Sequence, residues 1–226
     1  MHDDATATTE LPLIALPDRI FFPGVEEIVA LPGEIASRVE PHDPTVVLAW
    51  EVLGDEVAAE TLPTPGPSGG RLASHACIGT LLSVRTNRST WPGRVRCTRR
   101  VRLLDARPFA DRSVFQATVQ LLDDVVRAAD MQVVPDLRAG LIESVEAIAS
   151  KIAGADDLLK DLARAEVSLG TLCDILAFTL PLSATDKFAL LAEVRVVERA
   201  AFLKRKLEAA AGDPRFHGEL RGRFPA

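Results

Sequence analysis

The stretch PGRVRCTRRVRLLD, residues 92–105, decides how the first half of this chain is read. Taken as an extended strand, it puts Val95, Cys97, Val101 and Leu103 on one side and Arg94, Arg96, Thr98, Arg100 and Arg102 on the other, because successive strand side chains alternate between faces. Only Arg99 breaks the alternation. Long arginine stems cover apolar surface while their guanidinium groups stay wet, so the reading is a half-buried strand with a solvated outer face. The rival reading is a nucleic-acid-binding strand, and it meets the charge of the whole chain: 26 Lys and Arg against 32 Asp and Glu give a net charge of -6. Long-range attraction to a phosphate backbone is therefore absent, and the arginines would have to act as an isolated patch.

Outward from this strand, LPLIAL (11–16), EEIVAL (26–31), TVVLAW (45–50), CIGTLLSV (77–84) and SVFQATVQLL (113–122) are short apolar or alternating runs separated by Pro, Gly, Asn and Asp. Such runs read as strands, so residues 11–124 are expected to form a β half. FFPG (Phe21–Gly24) opens a tight turn, TNRSTWPG (Thr86–Gly93) reads as a hairpin loop, and EIASRVE (34–40) as a short helix. After Val134 the period changes. From Pro135, a natural first-turn residue, Leu137, Leu141, Ile142, Val145, Ile148, Ala149 and Ile152 recur at helical spacing up to Gly154. DDLLKDLAR (156–164) continues in that style, and SLGTLCDILAFTL (168–180) is stopped by Pro181. Ser183, with Asp186 three residues on, begins a further helix that turns Phe188, Leu190, Leu191 and Val194 inward. VVERAAFLKRKLEAA (196–210) is the last. The fold class expected is α+β: a β half over 11–124 and a bundle of about four helices over 125–212, with residues 1–10 disordered and 213–226 loose.

With 47% apolar and 26% charged residues, the composition is that of an ordinary globular protein. Cys77, Cys97 and Cys173 are scattered without a C-x-x-C pair, which points to a reducing compartment rather than a disulfide framework. No apolar run approaches the roughly 18 residues that cross a bilayer, and MHDDATATTE lacks the cationic and apolar parts of a signal peptide. The expectation is a cytoplasmic protein that engages no membrane.

Chemistry is offered first by TPGPSGGRL (64–72), where Ser68 stands among glycines as a nucleophile on a strained turn would. It needs a base, yet His75 has no evident orienting carboxylate and the first lysine is Lys151. A flexible Pro/Gly loop accounts for it. Nothing matches the G-x-x-x-x-G-K-[ST] phosphate loop. His75, Cys77 and Cys97 lack the paired spacing of a metal site. Asp123, Asp124, Asp156 and Asp157 sit at element ends, where acids favour helix N-termini or solvate loops. No catalytic residue, cofactor or metal is therefore expected. Large side chains in loops remain: Phe21 and Phe22 beside Pro23–Gly24, and Trp91 with Arg88 and Arg94 around it, a set that reads either as a protein-contact anchor or as part of its own sheet.

Three stretches, in order, resemble the N-terminal domain of the ATP-dependent Lon (La) proteases. LPLIALPDRIFFPG is similar to the family's opening strand through Leu16, Ile20, Phe22, Pro23 and Gly24. CIGTLLSVRTNRSTWPGRVRCTRRVRLLD resembles its G-T hairpin and following strand, with Arg100 where the family carries arginine and Cys97–Thr98 where it usually has Gly-Leu. LCDILAFTLPLSATDKFALLAEVRVVERAAFLKRKLE is similar to its closing helices through Pro181, Leu182, Lys187, Leu190, Leu191, Glu198 and Arg199. The resemblance spans roughly residues 11–210. It implies a PUA-like β-barrel before a helical bundle, and a non-enzymatic, stand-alone substrate-binding domain that recognises protein or unfolded polypeptide, in company with a protease or adaptor, and no nucleic acid. The alternative it implies is the N-terminal portion of a Lon serine protease, whose ATPase and Ser-Lys protease modules this sequence does not contain. GPSGG (66–70) imitates the family's nucleophile setting but lacks its lysine.

Overall fold

A computed structural model describes residues 8–40, 42–54, 60–83, 90–109, 114–149 and 167–210. Within them lie seven strands in one mixed sheet: β1 (Thr8–Leu16), β2 (Glu26–Pro32), β3 (Thr45–Val52), β4 (Thr61–Pro65), β5 (Arg71–Leu81), β6 (Thr90–Pro108) and β7 (Phe115–Leu122). Four α-helices accompany them among the described residues: α1 (Val134–Ala149), α2 (Leu169–Thr179), α3 (Ala184–Ala192) and α4 (Val196–Ala210). The class is α+β and sheet-dominated. Contacts divide the chain into two compact units, one of Met1–Asp123 with Ala184–Ala192 and one of Asp124–Ser183 with Glu193–Ala226. Helical periodicity alone does not say which unit a helix joins; packing assigns α3 to the strands.

In the strand unit the 19-residue β6 organises the sheet. It pairs with β2, β5 and β7, and the circuit β6–β7–β1–β3–β5 returns to β6, with β1–β3 the parallel pair and the others antiparallel. All five strands of the circuit feed one apolar cluster: Leu13 and Ala15; Val47 and Ala49; Leu72, Ala76 and Ile78; Val101, Leu103 and Ala106; Phe115, Ala117 and Val119. Period-two alternation is what lets each strand send one face inward. Burying these side chains stabilises the unit by about 25 cal/mol per Å² of apolar surface removed from water.

Three details differ from the sequence pattern. β1 starts at Thr8, inside the segment expected to be disordered, because Thr8–Leu13 pairs with β7. Thr90–Gly93, expected in a hairpin loop, is strand opposite Val29–Pro32 of β2. Arg100, expected on the wet face, is buried at 3% exposure. The cause is α3, which covers that face: Arg100 Nε donates to the carbonyl of Leu191 in its last turn at 3.2 Å. The register shift between Ile78 and Gly79 falls opposite Thr98, so the alternation slips at Thr98–Arg99. FFPG forms the expected turn, with Gly24 at φ 82° and the Val25 N–H reaching the Phe22 carbonyl at 3.4 Å. EIASRVE contributes a 3-10 turn, Gly33–Ser37.

In the second unit, Ser168 caps α2 by accepting from the Thr171 N–H at 3.1 Å. α1 and α2 both pack on α4. The DDLLKDLAR segment and the 213–226 tail lie outside the described residues.

Candidate functional site

The aromatic residues read as loop anchors are interior. Phe21 is 2% exposed, Phe22 0% and Trp91 1%. Trp91 folds back over its own strand, where the missing side chain of Gly93 leaves room: a Cβ there would run into the Trp91 ring and Leu31 Cδ1. Its Nε1 has no hydrogen-bond partner among the described residues. A side chain this deep reaches no partner without opening the fold, so Phe21, Phe22 and Trp91 are corrected from contact residues to core. Arg88 lies outside the described residues. Arg94 is on the surface, its side chain 63% exposed.

Arg94 belongs to a ladder of arginines that engage carboxylates. Arg94 and Arg96 both bind the carboxylate of Glu26 on β2, the latter at 3.1 Å. Arg99 pairs with Asp123 at 2.7 Å, Arg102 with Glu60 and Arg107 with Asp105, both at 2.9 Å. Each such surface pair adds only about 0–1 kcal/mol of stability. Their electrostatic effect is larger: a phosphate chain would have to displace these carboxylates before meeting the guanidinium groups.

The loop after β4 is built around a buried acid. Glu51, 0% exposed on β3, accepts through Oε1 from the backbone N–H of Ser68 at 2.8 Å and of Gly70 at 3.0 Å, while Oε2 has no partner among the described residues. A Cβ on Gly66 would overlap Glu51 Oε1, and one on Gly70 the Val52 carbonyl; Gly69 holds φ 86°. The glycines that imitate a nucleophile setting are thus required for close approach to a carboxylate. Ser68 contributes its backbone N–H to that arrangement.

His75 is half-buried beside Ser74, with Ser74 Oγ 3.0 Å from its Nδ1, and the Phe188 ring of α3 meets it edge-on at 5.8 Å. Burial holds its pKa below the ordinary histidine value, with Arg102 adding to that and Glu60 opposing it. Glu60 is held below the usual carboxylate range, chiefly by its bond from Arg102. Phe188 also meets Trp50, at 6.1 Å. Arg100, Trp50 and His75 together form the seat of α3. Cys77 and Cys97 are buried, and no group of three His, Cys, Asp or Glu suited to a metal ion occurs among the described residues.

The second unit contains a charged centre that the sequence did not flag. Arg199, 1% exposed on α4, grips Asp124 with two bonds of 2.8 and 2.6 Å and donates to the Glu193 carbonyl at 3.3 Å. Burial works against its charge, yet Asp124 and the nearby Asp174 outweigh it and raise the pKa. Gly170 of α2 leaves the space: a Cβ there would overlap Asp124 Oδ2. Val125 beside Asp124 is stitched to the same segment, its N–H to the Val194 carbonyl at 2.8 Å.

The described geometry, a strand circuit with a seated helix and a separate helical unit, has solved counterparts. The chain is similar to the N-terminal domain of a Mycobacterium avium complex Lon protease, at 16% identity and TM-score 0.58 over 91% of this chain and 100% of that one. In fold, therefore, the protein is of the Lon N-terminal domain kind. It is also similar to a Lon N-terminal domain protein from Xanthomonas campestris, at 16% identity and TM-score 0.48 over 89% of this chain and 98% of that one. No model of a known family matches the sequence, and no curated protein matches it. No helix among the described residues is long and apolar enough to cross a membrane.

Proposed function

We propose that this protein is a non-catalytic polypeptide-binding domain of the Lon N-terminal type, in which the strand circuit is the PUA-like barrel and α1, α2 and α4 belong to the helical bundle. The observation that carries the reading is the fold likeness, which takes in the whole of the Mycobacterium domain and nine-tenths of this chain. That structure is a domain of a Lon protease, so the partner class carried over is protein handed on for ATP-dependent proteolysis, through a protease or an adaptor in the cytoplasm. The glycine loop at 66–70 supports the non-catalytic side of the reading, since its close packing serves Glu51. Binding rests on surface groups, Arg94 among them.

The test is an anisotropy titration with fluorescein-labelled, reduced and carboxymethylated α-lactalbumin, an unfolded polypeptide, against the native protein. Saturable binding of the unfolded form alone is expected; indifference to both would refute the reading.

A further inference from the structure

We infer that the outer edge of β2 receives an extended, acidic polypeptide segment as an added antiparallel strand; this rests on the polypeptide-binding reading above. β2 ends the sheet order and pairs on one side only, with β6. The other end, β4, has five residues, two of them Pro63 and Pro65 without N–H groups, and a broken register against β5. Prolines and irregularity are the usual means of blunting an edge. β2 keeps seven residues in unbroken register.

The direction of its backbone groups follows from the pairing. In an antiparallel ladder, residues alternate between exchanging hydrogen bonds with the partner strand and turning them away. The Ile28 N–H donates to Glu27 Oε1 at 3.1 Å, so it points away from β6. Ala30 lies opposite Pro92, which has no N–H to exchange. Glu26, Ile28 and Ala30 therefore present their N–H and C=O groups to the open edge, while Glu27, Val29 and Leu31 bond to β6. No strand covers that edge among the described residues. An added strand would take up these groups, which is the mode by which extended peptides augment sheets.

The chemistry of the occupant follows from the exposed face. Ile28 is 56% exposed, a large apolar side chain in the middle of the edge. Across it, Arg94 and Arg96, both more than half exposed, share the single carboxylate of Glu26. Among the described residues one positive charge of the trio is uncompensated, so an apolar residue beside Ile28 and a carboxylate within reach of the two arginines complete the face. Glu27 acts as the gatekeeper: its carboxylate occupies the Ile28 N–H, lies 4.0 Å from Arg19 and must swing away to admit a strand.

The experiment uses the full chain and two fluorescein-labelled nine-residue peptides beside carboxymethylated α-lactalbumin: one places valine and aspartate in turn along a single strand face with threonine between them, VTDTVTDTV, and the other has lysine for the aspartate. Ile28→Pro and, as a second variant, Ala30→Pro each delete an outward N–H and no bond to β6. Both are expected to weaken the aspartate peptide about tenfold, and Glu27→Ala to tighten it about threefold, the scale of one backbone hydrogen bond. Amide exchange at Ile28 and Ala30 should slow on binding. If both proline variants bind the peptide and the lactalbumin as the wild type does, the edge assignment fails while polypeptide binding stands. If the wild type binds neither probe, the underlying reading fails and the inference with it. Tighter binding of the lysine peptide overturns the charge assignment. A concentration-dependent dimer that Ile28→Pro dissolves makes a second copy the occupant instead.

Discussion

The two units each bury an arginine, and the bonds described around each differ in kind. In the strand unit Arg100 is held under α3 by a backbone carbonyl, that of Leu191, at the end of the helix where the dipole favours a cation. In the helical unit Arg199 is held by a carboxylate, Asp124, in a two-pronged pair, with its Nε without a partner among the described residues. Glu51 follows the first pattern in reverse, as an acid held by loop N–H groups. Among the described bonds, the strand unit meets Arg100 and Glu51 with backbone groups. The helical unit ties charge to charge, so losing Arg199 removes a two-pronged ion pair.

That contrast sets the order of expected effects. Arg199→Met removes the two-pronged bond to Asp124 and should destabilise the helical unit most, by about 3 kcal/mol in urea unfolding; Asp124 is partly exposed, which keeps the loss at the lower end for buried pairs. The double variant Arg199→Met with Asp124→Asn should recover part of that loss, and a cycle with no coupling would erase the contrast. Next comes Arg100→Met, expected to remove about 2 kcal/mol, as for a hydrogen bond to a charged group, and to raise amide exchange in α3 before the rest of the strand unit. Gly66→Ala should lower stability by about 1–2 kcal/mol by crowding Glu51, and Glu51→Ala combined with it should cost less than the two alone, which unfolding midpoints of the three variants would show.

The smallest effect is that of pH. The folded protein holds the pKa of His75 down, so between the unfolded value of 6.5 and the lower folded one the unfolded chain binds more protons. Stability is complete above pH 6.5 and falls as pH drops through the folded value. His75→Gln should flatten the slope of the urea midpoint between about pH 7 and 5.5 by less than one proton's worth; an unchanged slope would remove His75 from the account.

Local periodicity made much of this fold legible. The alternation of Val95, Cys97, Val101 and Leu103 identifies β6, and the 3.6-residue spacing of VVERAAFLKRKLEAA gives the bounds of α4, Val196–Ala210. The site was less legible because depth is set through space. Trp91 is indistinguishable in sequence from a loop anchor until Gly93 and the facing Leu31 are placed beside it. Arg100 alternates like its neighbours, and the helix that covers it arrives only at residue 184. Arg199 reads as one charge on an amphipathic helix, with its partner 75 residues earlier. For Glu51 a signal did exist: the crowded glycines of GPSGG mark a loop that something must approach closely. The free edge of β2 could not be read at all, since strand order is a property of the assembled sheet.

The seating of α3 among the strands bears on how the polypeptide is made. A ribosome delivers every strand of the first unit by residue 122, yet the helix that shelters Arg100, Trp50 and His75 follows only after residues 124–183 have emerged. An expression fragment stopped at Asp123 would carry the whole sheet with that seat open to water, and aggregation of such a truncation would reflect a missing lid helix rather than a faulty set of strands.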